Sequence, residues 1–202
     1  MVIAKEPLPG RAKTRLSPPC TPDEAAALAE AALLDTLEVV GHTPAYRRVL
    51  VFDGDARRFP TRGFEVIPQR GADLGERLQS AFEDIGGPAL LVGMDTPQLT
   101  SGMLLDGMRA LTSPKIDAVL GPAVDGGYWS IGFGERPKGA FEGVPMSCSD
   151  TCFKQRARLE RLGLRVHDQS PLRDVDTIED AQAVAGQAPG SRFARAVGAL
   201  AA

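Results

Sequence analysis

The residues best suited to chemistry stand at the start of the chain. Met1-Val-Ile-Ala-Lys5-Glu-Pro-Leu-Pro-Gly10-Arg-Ala-Lys13-Thr-Arg15-Leu16 is an apolar stub running into a loop that carries four cations: Lys5, Arg11, Lys13 and Arg15. The formal net charge of the whole protein is only −3, so this clustering is local. A cationic loop at the end of a strand suits a compact polyanion, such as the phosphates of a nucleotide. Gly10 can take backbone shapes closed to other residues and let amides face a ligand. Arginine clamps phosphate oxygens bidentately, and lysine supplies a mobile point charge. The plainer reading is a solvated basic loop, and the Gly-Lys-Ser/Thr ending of a Walker A loop is absent.

Acidic groups recur later in the chain. Gly93-Met94-Asp95-Thr96-Pro97 follows the apolar run Ala89–Val92. A carboxylate emerging from a buried strand needs a partner. A magnesium ion, which prefers a few carboxylates plus substrate phosphates, is a natural one. Asp95 could instead cap the next helix, although Thr100 and Ser101 are better placed for that. In Arg173-Asp174-Val175-Asp176-Thr177 an extended segment would put Asp174 and Asp176 on one side, a second contact for a metal. Asp176 or Thr177 could equally cap the following helix.

Two glycine-containing segments are ambiguous. Asp125-Gly126-Gly127-Tyr128 is a hairpin signal, yet its glycines also let backbone approach a substrate beside an aromatic ring. Gln69-Arg70-Gly71-Ala72-Asp73-Leu74-Gly75 opens a helix, an anion-friendly place; Arg70 and Arg77 could touch a ligand or solvent. Other catalytic styles are poorly represented. His42 and His167 sit in no motif, and there is no Gly-x-Ser-x-Gly elbow. Cys148 and Cys152 are four apart, without further ligands to make a zinc site.

The elements that must position these groups alternate. Thr21-Pro22-Asp23-Glu24 predicts a capped helix running to Val40, with Gly41 as its stop. Strands are expected at Arg48–Phe52, Phe64–Ile67, Ala89–Met94, Ala118–Leu120, Tyr128–Ile131 and Leu164–Val166. Helices are expected at Asp73–Ile85, Ser101–Leu111, from a Ser149 cap to Leu162, from Thr177, and from Ser191 to Ala202. Such alternation predicts a mostly parallel sheet with helices on both faces, ligands binding at the carboxyl ends of its strands. The 202 residues suffice for one such domain, 1–202.

Bulk properties exclude several classes. A pI near 5.5 argues against general nucleic-acid binding. Three cysteines without framework spacing imply a reduced, cytoplasmic setting. Glu6 and the early prolines do not suit a signal peptide, and no apolar run reaches membrane-span length.

Taken together, the motifs resemble a known bacterial family. They are Ala-Lys-x-Pro-x-Pro-Gly-x-x-Lys-Thr-Arg-Leu, Gln-x-Gly-x-x-Leu-Gly-x-Arg, Gly-x-Asp-x-Pro, Gly-Pro-x-x-Asp-Gly-Gly-Tyr and Asp-Val-Asp-Thr. The family is the glycosyltransferase-A-like group known as radical-SAM/selenodomain-associated transferases, within the nucleotide-diphospho-sugar transferase superfamily. Molybdopterin and 2-phospho-L-lactate guanylyltransferases are its relatives, and the resemblance spans about Ile3 to Asp180. It implies a three-layer α/β/α, Rossmann-like fold with a mostly parallel mixed sheet. It places Gly10, Lys13 and Arg15 at nucleotide phosphates, with Ala4, Lys5, Gly71 and Asp73 also at the nucleotide. Asp95 would hold the metal, with Asp174 or Asp176 as the distal acid. Asp125, Gly126, Gly127 and Tyr128 would lie by the acceptor. The chain departs from the pattern by opening almost at the strand and by reading Pro145-Met146-Ser147 where Pro-Trp-Ser is common.

The function this implies is Mg2+- (or Mn2+-) dependent nucleotidyl transfer, with Lys13, Arg15 and Asp95 catalytic. The substrates would be a nucleoside triphosphate and a small phosphorylated or phosphonate acceptor, and pyrophosphate would leave. No nucleic-acid or membrane partner is expected, and a homodimer is the oligomer allowed for. The alternatives are a glycosyltransferase with a nucleotide-sugar donor and a non-catalytic nucleotide-binding module.

Overall fold

The protein is represented by a computed structural model that describes residues 1–200. In chain order the elements are β1 (Val2–Lys5), α1 (Pro22–His42), β2 (Val49–Asp53), β3 (Glu65–Pro68), α2 (Leu74–Ile85), β4 (Ala89–Val92), α3 (Ser101–Ala110), β5 (Ala118–Pro122), β6 (Tyr128–Phe133), α4 (Thr151–Arg161), β7 (Val166–Asp168), α5 (Ile178–Gln187) and α6 (Arg192–Leu200). The fold is mixed α/β, as the alternation predicts. None of these helices is long and apolar enough to cross a membrane. Two compact units contain these elements, one made of residues 2–67, 93–101 and 173–200, the other of Met1, 68–92 and 102–172.

In the first unit the strand order is β3-β2-β1, with β1 parallel to β2 and Val2 opposite Leu50. Val49 to Phe52 are all buried, the pattern of a strand covered on both faces. Helix α1 begins with the expected capping box: the Glu24 amide donates to Thr21 Oγ1 at 3.3 Å and the Thr21 amide to Glu24 Oε2 at 2.7 Å. It does not stop at Gly41. Arg48 donates to the carbonyls of Val40 (3.1 Å) and Thr43 (2.8 Å), and the Thr43 hydroxyl donates to that of Val39 (2.7 Å). Side chains thus satisfy the last carbonyls, and no left-handed glycine turn is needed.

Helix α6 is seated on α1 by one carboxylate. Buried Asp35 accepts from the amides of Arg192 (3.0 Å) and Phe193 (2.9 Å) and from the Arg192 guanidinium (3.2 Å). It caps a helix remote in sequence, and Phe193 packs into a core with Leu16, Leu28, Val175 and Val184. The sequence expectation of a helix from Ser191 agrees with α6 as far as the described residues go; 201–202 lie outside them.

In the second unit the order is β4-β6-β5-β7. Strand β6 runs antiparallel to β4 and β5, while β5 and β7 are parallel. Phe82 of α2, Phe133 of β6 and Phe141 pack as a ring cluster, with centroids 4.9 to 6.0 Å apart. Strand β4 ends at Val92, short of the expected Met94, while β5 and β6 run two residues further than expected, and side-chain contacts shift two more boundaries. Strand β7 begins at Val166, because Arg165 is turned into a bracket with Asp117: its amide and guanidinium donate to the Asp117 carboxylate at 2.7 to 2.9 Å. Helix α4 begins at Thr151 with Asp150 rather than Ser149 at the cap position. The Thr151 hydroxyl accepts from the Cys148 amide and donates to the Pro145 carbonyl, each at 3.0 Å.

Replacing Asp35 with alanine should cost about 2–4 kcal/mol, because it leaves two amides without their acceptor and the Arg192 guanidinium with Glu38 alone; urea unfolding at pH 7 measures it. The Arg165 side chain and amide hold the Asp117 carboxyl down at about 2. Its folded value lies below its unfolded one, so its stabilisation is present above about pH 4 and fades as pH falls toward about 2. Asp117→Asn should therefore flatten the acid limb of the stability curve in that window, read as melting temperature against pH.

Candidate active site

The candidate site lies within the first unit and is built on two apolar anchors. Leu16 closes the N-terminal loop, and Val175 separates two aspartates; both are buried in the cluster under α1, α5 and α6. Fully burying such a side chain is worth about 1.5–3 kcal/mol. Because Val175 faces inward, its extended neighbours Asp174 and Asp176 are presented to the other side. The Val175 amide donates to the Asp95 carbonyl at 3.0 Å, which ties the two acidic segments together. Gln98 adds a second tie, donating to the Arg173 carbonyl at 2.6 Å.

Lys13 sits at the convergence. Its Nζ is 2.8 Å from Asp95 Oδ1 and 3.4 Å from Asp176 Oδ1, and it donates to the Val175 carbonyl. Arg15 Nη1 lies 2.6 Å from Asp176 Oδ2. The two cations differ in their surroundings: the Lys13 side chain is 8% exposed and that of Arg15 70%. Burial alone would push the Lys13 pKa down, but Asp95, Asp176 and Asp174 outweigh it and the shift is upward. Lys13 is also one of two non-glycine residues with positive φ among the described residues, at 48°. Left-handed backbone is costly for a side-chain-bearing residue and concentrates at functional sites. The ion pairs and the Val175 carbonyl hold it there, and a 3-10 turn, Thr14–Leu16, follows directly.

A cleft of about 180 Å³ opens beside these groups, lined by Lys5, Arg11, Lys13, Arg15, Asp95 and Asp176. Four cations and two carboxylates therefore share one concavity. The structure brings together Lys5, Lys13, Arg15, Asp95 and Asp176, and Asp174 is close enough to act on the Lys13 charge. Ala4 is buried in β1 beneath the loop. Gly10 takes a left-handed φ of 71° in the loop's turn. Asp95 pairs with Lys13 and lies well before α3, so it does not cap that helix. The cap of α5 is Thr177 with Asp180, which leaves Asp176 to the cations. The Val175 carbonyl is the group that sequence patterning missed. The alternation of acids around an apolar residue was its only signal.

The remaining expected residues belong to the second unit, and local structure accounts for much of each. Asp73 accepts from the Glu76 amide at 2.8 Å and caps α2. Gly71 has φ +136°, and a Cβ there would lie 2.7 Å from the Arg77 amide. Both also line a larger cleft of about 1040 Å³, with Phe141, Val144 and Pro145. Arg70 pairs with Asp84. Asp125 Oδ1 accepts from the Gly127 amide at 2.7 Å, which fixes the hairpin turn. The Gly126 carbonyl accepts from the Cys152 amide at 2.8 Å. The Tyr128 hydroxyl packs against Gln155 Oε1 (3.5 Å), and its burial pushes its pKa up. None of the three cysteines forms a disulfide.

The chain belongs to the family described as uncharacterized protein conserved in bacteria, DUF2064, whose model matches residues 36–148. No curated protein matches it. It is similar to a solved structure from Desulfovibrio desulfuricans G20 described as a candidate nucleotide-diphospho-sugar transferase. That match has a TM-score of 0.84 and 28% identity and covers 98% of this chain and 91% of the other. The manganese complex of Rv0371c from Mycobacterium tuberculosis H37Rv matches at TM-score 0.55 and 17% identity, over 91% and 95% of the two chains. A CMP:2-keto-3-deoxy-manno-octonic acid synthetase complexed with CTP matches at 0.54 and 15%, over 93% and 97%. The fold is that of the nucleotide-diphospho-sugar transferases and cytidylyltransferases.

A Cβ on Gly126 would meet the Ser149 carbonyl oxygen at 1.8 Å with φ at +92°. Gly126→Ala should therefore cost about 1–3 kcal/mol in chemical denaturation, and the hairpin tip should move away from the start of α4.

Proposed function

We propose that the protein is a divalent-metal-dependent nucleotidyltransferase. It would move a nucleoside monophosphate from a nucleoside triphosphate to a small acceptor that bears a phosphate or phosphonate, with release of pyrophosphate. The observation that carries this reading is the shared cleft. Lys5, Arg11, Lys13 and Arg15 face it together with Asp95 and Asp176, the mixed charge that a polyphosphate with a divalent ion requires.

The donor set fits such an ion. Two carboxylate oxygens, Asp95 Oδ1 and Asp176 Oδ1, and the Val175 carbonyl already converge on one positive charge, the Lys13 ammonium. These are hard oxygen donors of the kind Mg2+ and Mn2+ prefer, and a structural relative is a manganese complex. Asp95, Asp176 and Asp174 would hold the ion, which when bound supplies charge neutralisation at the phosphate oxygens. The chain's own residues do the rest. Arg11 and exposed Arg15 engage the triphosphate from the cationic side and stabilise charge on the departing pyrophosphate. An acceptor that is already anionic needs no general base, which agrees with the absence of histidine from the cleft. Catalysis then rests on positioning and electrostatics. Asp125, Gly126, Gly127 and Tyr128 are proposed to face the acceptor.

A second reading, sugar transfer from a nucleotide-sugar, is favoured by the description of the Desulfovibrio relative. It would use the same acids but gives the cations of the first loop less to do. One assay separates the two. The full chain is incubated with each nucleoside triphosphate, magnesium and a pool of phosphorylated metabolites, and pyrophosphate is followed. Pyrophosphate release is expected, and Asp95→Asn should lower it at least about 100-fold with folding unchanged. Release of a nucleoside diphosphate from nucleotide-sugars instead, or no turnover of either donor, would overturn the proposal.

A further inference from the structure

The position of Lys13 has a consequence that the transfer reaction does not require. Its ammonium lies between Asp95 and Asp176 with the Val175 carbonyl as a third oxygen, where the ligands for a divalent ion converge. A metal ion sharing those oxygens would stand within a few ångströms of a buried positive charge. Repulsion over such a distance outweighs much of the gain from two carboxylates. The two cations therefore compete for the same oxygens.

We propose that Lys13 is a tethered cation that competes with the divalent ion for Asp95 and Asp176, so that the ion binds tightly only when Lys13 has another anion to serve. This rests on the nucleotidyltransferase reading, in which that anion is the polyphosphate of the incoming nucleotide. The side chain has the means to move, since lysine is a point charge on a flexible four-carbon stem. The cleft that it lines also carries Lys5, Arg11 and Arg15, so a polyphosphate seated there lies within reach. The exchange couples two binding events: the nucleotide draws Lys13 off the acids, and the vacated oxygens accept the ion. By linkage the ion must strengthen nucleotide binding by the same factor.

The same ion pairs also relieve repulsion within the acidic cluster. Asp95, Asp174 and Asp176 repel one another without a cation between them, and Lys13 with Arg15 supplies one. The left-handed backbone at Lys13 fits this role. It aims a long side chain inward from a loop whose neighbouring cations face the cleft.

The test measures Mn2+ binding to the full chain without nucleotide, by the spin-resonance signal of the free ion. Lys13→Gly removes the ammonium and suits a positive φ; Lys13→Met removes the charge but keeps the stem. Both variants should bind Mn2+ at least roughly tenfold tighter than the native chain, and Mn2+ should raise their melting temperatures more. Adding Asp95→Asn to Lys13→Gly should abolish the gain. Affinity in both Lys13 variants equal to or weaker than native, while Asp95→Asn still weakens binding, would overturn the interlock and leave the metal site standing. Mn2+ affinity unchanged by Asp95→Asn and by Asp176→Asn would overturn the metal site itself, and the interlock with it.

Discussion

A buried ammonium among carboxylates governs the candidate site. Lys13 leaves water almost completely, and an unpaired charge in that position would cost more than the fold can spare. It is tolerated because Asp95, Asp176 and the Val175 carbonyl receive it, and these come from two segments remote in sequence. The constraint propagates outward. Val175 must be buried for its neighbours to face the cleft, Leu16 must anchor the loop, and the core under α1 and α6 must hold both. Asp35, by capping α6, supports the same core from behind.

The site combines features that pull in opposite directions. Its acids suit a hard cation, and its loop suits a polyanion. These halves satisfy each other, Lys13 and Arg15 pairing with Asp95 and Asp176. Polyphosphate and metal present the same two charges from outside. A site whose internal ion pairs mirror those of its proposed substrate can stay folded and solvated until both arrive. The scarcity of histidine agrees with the proposed reaction, because transfer to an anionic acceptor would need positioned charge rather than a proton relay.

Much of this was legible in the sequence where local chemistry decides it. The capping boxes at Thr21 and Thr177 set two helix starts, and the apolar runs at Val49 and Ala89 mark buried strands. Misreadings arose where a remote partner overrode a local signal. Gly41 is an ordinary stop signal, but Arg48 satisfies the carbonyls that the glycine turn would have capped. Arg165 reads as strand until Asp117, far away in sequence, turns it aside. Ser149 is a good cap by type, yet its carbonyl is pressed against Gly126. At the site, residue types named Lys13, Arg15, Asp95 and Asp176, but not that Lys13 would lie buried on the acids. That depends on Val175 pointing inward, a tertiary fact. In the second unit, Gly71 and Asp73 carry turn and cap duties that their sequence context did not separate from binding.

In the proposed reaction one cleft grips a polyphosphate through the first loop and a divalent ion through the acids. A crystal structure of the full chain soaked with a nucleoside triphosphate and manganese tests it most directly. An anomalous manganese peak against Asp95 and Asp176 is expected, with phosphate density on Arg11, Arg15 and a displaced Lys13. Polyphosphate bound elsewhere, with Lys13 still on Asp95 and no manganese at those carboxylates, would contradict it.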